Sequence, residues 1–307
     1  MSPETALPRD KAESLMRLAG YASVTVACVL ILVKGGAYFA TDSVSMLASL
    51  VDSVLDAFAS IVNLLALRHA LSPADDEHRF GHGKAEALAG LAQAAFVAGS
   101  AVFLFLEASE RTIHPRAIAN SDVGIAVTLF ALAATLVLVL FQRHVARRTG
   151  SVVVNADSLH YLTDFLTNGA TLAAIALAAY GGWTLADPIF ALLIGAYILF
   201  GAWSIFRTSF DMLMDHELPE AERERIKTVV MSHPEVRSFH DLRTRRSGTR
   251  AFIQVHIDLD GAMTLAKAHD ISDEVERRLH AAFPGAEVII HQDPAGIMEP
   301  RPPFAAH

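Results

Sequence analysis

Six apolar segments crowd into residues 15–213, and each is long enough to cross a bilayer. They run from about Leu15 to Phe39, Val44 to Leu71, Ala85 to Glu107, Val123 to Phe141, Val152 to Tyr180 and Ile189 to Leu213. About 20 mostly apolar residues span a membrane as a helix. Breakers mark the joints: "KGG" at 34–36, "SPADD" at 72–76, "HP" at 114–115, "GG" at 181–182 and "DP" at 187–188. The whole chain is 52% hydrophobic and only 19% charged, against about 25% charged in a soluble domain. Most of the charges lie outside the six segments.

Lys and Arg in the short connections set the expected orientation. Arg9, Lys11 and Arg17 precede the bundle. Arg68, Arg79 and Lys84 flank the second joint, and Arg143, Arg147 and Arg148 the fourth. The opposite face has only Lys34, Arg111 and Arg116. Both termini are therefore expected in the cytoplasm. The first 14 residues are polar, of mixed charge and without a signal-peptide pattern. A net charge of −8 argues against a nucleic-acid partner. The one cysteine, Cys28, excludes a disulfide framework and a cysteine metal site.

After Leu213 the texture changes. "LPEAERERIKTVVMSH" and "TLAKAHDISDEVERRLHAAF" read as amphipathic helices. "VRSFHDLRTRRSG" and "TRAFIQVHIDLD" read as two strands joined at Ser247-Gly248, and "AEVIIHQD" as a third. In the second strand Ile253, Val255, Ile257 and Leu259 alternate with Gln254, His256 and Asp258. The order α-β-β-α-β predicts a small two-layer domain over 214–297, with helices on one side of a sheet. Residues 298–307 read as a disordered tail.

Polar residues inside the apolar segments carry the functional signal. A carboxylate at the centre of a membrane helix costs about 2.5–3.5 kcal/mol on insertion scales. In the second segment Ser45, Ser49, Asp52, Asp56, Ser60 and Asn63 recur at three- and four-residue steps, which puts them on one helix face. In the fifth, His160, Asp164 and Asn168 are spaced by four. Facing one another, the two helices would offer Asp52, Asp56, His160 and Asp164, a set of oxygen and nitrogen ligands suited to a tetrahedral divalent metal, zinc first. Against this stands the reading of buried groups that merely hold helices together; two matched pairs in one chain favour the metal. Asp157, one turn before His160, either caps the helix or faces a vestibule, and stays outside the set. Three carboxylates carry −3 and one divalent cation leaves −1, so an emptied site must take up protons. That is the thermodynamics of an antiporter.

Two further clusters lie outside the apolar segments. Asp75, His78 and His82 have a spacing that closes on one metal and leaves a position for water; the same residues also suit a polar loop. His240, His256, His269, His291 and Asp293 come from several elements of the tail, and a histidine-rich surface would read alike.

The motifs together resemble the cation diffusion facilitator family. They are "SVSMLASLVDS", "NLLALRHALSPADDEHRFGHGKAEALAGLAQAAF", "ADSLHY", "HDLRTR", "FIQVH" and "VIIHQDP". The resemblance implies a six-helix transmembrane protein with a C-terminal cytosolic ferredoxin-like α+β domain. It implies a homodimer in a bacterial cytoplasmic membrane that exports zinc, with ferrous iron or cadmium as further cargo, in exchange for protons. It implies a transport site at Asp52, Asp56, His160 and Asp164 and a loop site at Asp75, His78 and His82. It implies a binuclear tail site at His240, His256, His269, His291 and Asp293 with Gln292 beside it, and an interlock between protomers through Lys84 and Asp215. Two other classes were weighed. A membrane metalloenzyme needs an open coordination position, which four protein ligands do not leave. A sensor in which the membrane part only anchors leaves the intramembrane carboxylates without a reason.

Overall fold

The computed structural model describes residues 8–113, 122–181 and 186–296. The "HP" joint, part of the "GG" joint, the first seven residues and the tail expected over 298–307 lie outside the described residues. Two compact units divide at Phe210/Asp211.

The first unit is a bundle of six long helices. They are α1 (Arg9–Thr41), α2 (Val44–Ala70), α3 (Lys84–Ile113), α4 (Asp122–Thr149), α5 (Val152–Gly181) and α6 (Ala186–Leu213). Their ends have local causes. Asp42 takes a left-handed conformation, φ 48°, and its N–H bonds Tyr38 O at 2.8 Å, closing α1. Gly150, at φ 70°, does the same for α4 through Ala146 O. The α1–α2 and α4–α5 joints are thus two residues each, 42–43 and 150–151, which makes these pairs antiparallel neighbours.

Among the described residues, five helices are long and apolar enough to cross a membrane. α5, of 30 residues, carries Asp157, His160, Asp164 and Asn168. It packs against α1, α2, α3 and α4, and nearly every side chain from Val152 to Thr163 is buried. The outward faces of the other helices carry Leu32, Phe39, Phe103, Val137, Phe200 and Trp203, all more than 60% exposed, as lipid-facing residues should be.

The start of α5 is pinned from α3. Glu86, 1% exposed, accepts the backbone N–H groups of Val152 at 2.7 Å and Val153 at 3.4 Å. Ser151 Oγ accepts that of Val154 at 3.3 Å. Two of the orphan donors of a helix N-terminus are thus met by a carboxylate, which also favours the helix dipole. Gly90 sits one turn along α3, where a Cβ would lie 2.9 Å from Val152 Cγ1 and 2.5 Å from Ser209 Oγ. Only glycine lets α3, α5 and α6 approach this closely.

The second unit holds α7 (Glu220–Met231), β1 (Ser238–Ser247), β2 (Arg250–Leu259), α8 (Leu265–Ala282) and β3 (Glu287–Pro294). The sheet order is β1-β2-β3, with β1 antiparallel and β3 parallel to the central β2. Gly248, at φ 60°, makes the hairpin turn. Ile253, Val255, Ile257 and Leu259 form the buried face with Ile226, Val230, Ile271, Val275 and Leu279 of the two helices. The alternation expected in β2 is the observed one, and the α+β class holds.

Glu86→Ala should lower stability by about 1–3 kcal/mol, the cost of leaving buried donors unmet. Glu86→Gln, which keeps an acceptor, should lose less. Thermal unfolding of the detergent-solubilised protein checks both.

Candidate metal centres

Asp56, His160 and Asp164 converge in the bundle. His160 Nε2 lies 3.1 Å from Asp56 Oδ1 and 3.9 Å from Asp164 Oδ2, and one ligand atom from each residue fits within 4.8 Å of the others. Ligands at about 2.0–2.1 Å on a tetrahedral zinc stand about 3.3 Å apart, so the spacing fits a metal. Asp164 Oδ2 is buried and has no hydrogen-bond partner among the described residues, while the buried His160 Nε2 faces Asp56 Oδ1. Buried polar atoms are rarely left without a partner; here the ligand atoms converge on one spot. Phe96 of α3 meets the His160 ring edge-on at 5.5 Å.

Asp52 lies one turn further along α2. It lines the same cavity of about 320 Å³ but stands outside the tight group of three. The cavity also holds Lys34, which the sequence reading counted only as a loop charge. Lys34 Nζ donates to Ser53 Oγ at 2.7 Å and to Ser49 O at 3.2 Å. This places a cation among Asp52, Asp56 and Asp164. Three carboxylates, one ammonium and one divalent cation sum to zero, where the ligands and metal alone sum to −1.

Asp157 is neither exposed nor a ligand of that group. It is 4% exposed and takes three donors from three helices. Ser23 Oγ donates to Oδ2 at 2.5 Å, Gln142 Nε2 to Oδ2 at 2.5 Å, and Asn63 Nδ2 to Oδ1 at 3.0 Å. One turn on, Tyr161 and Ser60 share a hydroxyl hydrogen bond of 2.7 Å. This polar clasp ties α1, α2, α4 and α5 together. It lies on the side of the His160 level nearer the starts of α1 and α5. The cavity extends the other way: Lys34 is 11 residues past Ser23 on α1, about 16 Å at 1.5 Å per residue.

The loop between α2 and α3 brings Asp75, His78 and His82 within 4.8 Å. His82 Nε2 and His78 Nδ1 each lie 3.2 Å from an Asp75 oxygen. The His78 backbone N–H donates to Asp75 Oδ1 at 2.6 Å and holds this carboxyl below its ordinary pKa. His82 Nδ1 is within 3.1 Å of Pro73 O, which fixes Nε2 as the nitrogen facing Asp75.

In the tail the sheet register builds the site. His240 pairs with His256, and His256 with His291, in one row across β1, β2 and β3. Asp293, next on the same face, reaches His256 Nδ1 at 2.8 Å, His291 Nε2 at 3.2 Å and His240 Nε2 at 3.4 Å. Asp258, not foreseen, lies 3.5 Å from His240 Nδ1. Period-two alternation turns Gln292 away; its Nε2 donates to Ser272 Oγ at 2.7 Å. His269 sits exposed on α8 beside Asp273 and does not join this row. Asp215 pairs with Arg245 at 3.4 Å within the tail unit.

Comparison with known proteins gives the family. Residues 21–214 match the cation efflux transmembrane domain family, and residues 218–295 the cytoplasmic domain of cation efflux proteins. The chain belongs to the cation efflux family. It is a multi-pass membrane transporter and not an enzyme. It is 50% identical over 280 residues to the cation-efflux pump FieF of Pectobacterium atrosepticum, covering 91% of this chain and 93% of that one. To the FieF of Serratia proteamaculans it is 49% identical over 284 residues, 92% and 94% of the two chains. The solved metal-bound C-terminal domain of the CzcD transporter from Thermotoga maritima aligns at 29% identity and TM-score 0.25, over 27% of this chain and all of that one.

Lys34→Met should raise the affinity of the bundle site for zinc about tenfold, equivalent to about 1.4 kcal/mol, because it removes a competing cation. Lys34→Arg should keep the native affinity. Zinc titration of the purified protein against a chelator measures both.

Proposed function

We propose that the chain exports a divalent transition metal from the cytoplasm in exchange for protons, with zinc the first cargo and ferrous iron and cadmium further ones. The observation that carries this reading is the convergence of Asp56, His160 and Asp164 on a cavity inside the bundle, with the buried Asp164 Oδ2 left unsatisfied. Asp52 is the fourth ligand, reached by a side-chain rotation into the same cavity. The relatives named cation-efflux pumps support export.

Proton coupling follows from charge. Removal of the cation leaves Asp52, Asp56 and Asp164 with Lys34 alone, a net −2. A cavity enclosed by the bundle holds that charge poorly, so protons replace the metal. The Lys and Arg pattern of the connections puts both termini and the α2–α3 loop in the cytoplasm of a bacterial inner membrane. In that orientation the clasp at Asp157 closes the cytoplasmic side and the cavity faces outward. The tail binds zinc across its His240–His256–His291 row with Asp293, and His269 is drawn in by the metal or the partner. The protein works as a homodimer interlocked through Lys84 and Asp215.

Flux tests the reading. In proteoliposomes with an imposed pH gradient, the wild type should move zinc, and the reverse gradient should reverse the bias. Asp56→Ala should abolish transport at every pH, because it removes a ligand. His160→Asp should still bind zinc but respond weakly to the gradient. Zinc flux that ignores the gradient in the wild type would refute proton exchange and leave the metal site standing.

A further inference from the structure

We infer that His69 is a fourth protein ligand of the α2–α3 loop site, which makes this a closed His₃Asp zinc site rather than an open three-ligand one. The inference rests on the reading of Asp75, His78 and His82 as a metal site and deepens it. His69 lies outside the loop, on the last turn of α2, six residues before Asp75. Its ring centre stands 4.5 Å from that of His82, and the ring of His78 stands 4.6 Å from His82 on the same measure. With zinc–nitrogen bonds of about 2.0–2.1 Å and a tetrahedral angle, the ring centres of two imidazoles on one zinc lie about 5 Å apart. His69 therefore bears the same relation to His82 as the accepted partner His78 does. The rings are tilted by 59° and 44° rather than stacked face to face.

The His82 ring is buried and anchored at Nδ1 by Pro73 O, with Nε2 presented to Asp75. It is the fixed point of the site. His69 is exposed at the end of its helix, so rotation of its side chain meets no packing. In the present rotamer its nitrogens are not within the tight group formed by the other three; the metal supplies the free energy to turn it. The physical demand comes from zinc. A four-coordinate site made wholly of protein ligands is of the structural kind, and one with a water is open to exchange. His69 converts the second kind into the first. It also ties the end of α2 to the start of α3, because His82 precedes Lys84 by two residues.

The test places a reporter at position 69. The full chain carrying His69→Cys is loaded with cobalt(II), with wild type as the blank for Cys28. A thiolate-to-cobalt charge-transfer band in the near ultraviolet, absent from wild type and abolished when His82→Ala is added, is the expected result. No such band overturns the inference. In parallel, zinc titration against a chelator should show His69→Gln weakening one class of site about 10- to 100-fold. The same change made on His82→Ala should add nothing. Unchanged affinity for His69→Gln also overturns the inference. The underlying reading fails separately: if His78→Ala with His82→Ala loses no equivalent of zinc, the loop holds no metal.

Discussion

Asp157 is the constraint on which the bundle depends. A carboxylate in a membrane helix is costly, and this one is met by neutral donors from three other helices, Ser23, Asn63 and Gln142. Hydrogen bonds to a charged group contribute about 1.5–3 kcal/mol each, and leaving one such partner buried and unmet costs at least as much. The four helices can therefore pack in one relative rotation far better than in any other. That rotation turns Asp56 of α2 toward His160 and Asp164 of α5, because Asn63 is two turns from Asp56 and Asp157 is one turn from His160. The convergence of Asp56, His160 and Asp164 is thus set by a cluster of which none of the three is a member.

The same logic separates the polar residues of α5 into two kinds. Asp157 is satisfied by protein and stays so. Asp164 Oδ2 has no hydrogen-bond partner among the described residues, and His160 Nε2 has only a neighbouring ligand candidate, Asp56 Oδ1, at 3.1 Å; a cation entering the cavity would meet all three. A site whose ligands were already bonded to one another would release a bound cation at little cost but would also bind it weakly. Leaving Asp164 Oδ2 unpartnered shifts that balance toward binding. Lys34 shifts it back: an ammonium held by Ser49 and Ser53 beside three carboxylates lowers the charge a departing cation leaves behind. Turnover in an exporter needs both tendencies.

How far the sequence could be read follows from the range of each interaction. The six helices and their joints were legible because hydropathy and breakers are local. The pairing of Asp56 with His160 and Asp164 was legible because each helix repeats its polar residues at four-residue steps. The buried face of β2 was legible from simple alternation, and the α+β class from element order. The place of Lys34 is not legible in the sequence because its partners lie 15 and 19 residues away across a helix joint, where no periodicity connects them. The role of Asp157 is hidden for the same reason, its donors being 15, 94 and 134 residues distant. Gln292 was grouped with the tail ligands by adjacency, although alternation in β3 sends it to the helix side of the sheet.

The position of the clasp relative to the cavity bears on how such a bundle would change state. Water and ions enter where helices part, and the cavity shows α1, α2, α4 and α5 already parted around Lys34, Thr135 and Asn168. On the other side of His160 the same four helices are closed by charge-assisted bonds. Opening that side separates Asp157 from at least one of Ser23, Asn63 and Gln142, and water entering there then supplies the lost hydrogen bond. The exchange costs about 1.5–3 kcal/mol for each bond lost, the net worth of a hydrogen bond to a charged group over one to water. An apolar plug at this level would instead expose hydrocarbon to water, at about 25 cal/mol per Å². A polar closure made of neutral donors around one carboxylate is therefore tight when dry and loses only that difference when wet, and it sits one helical turn from His160.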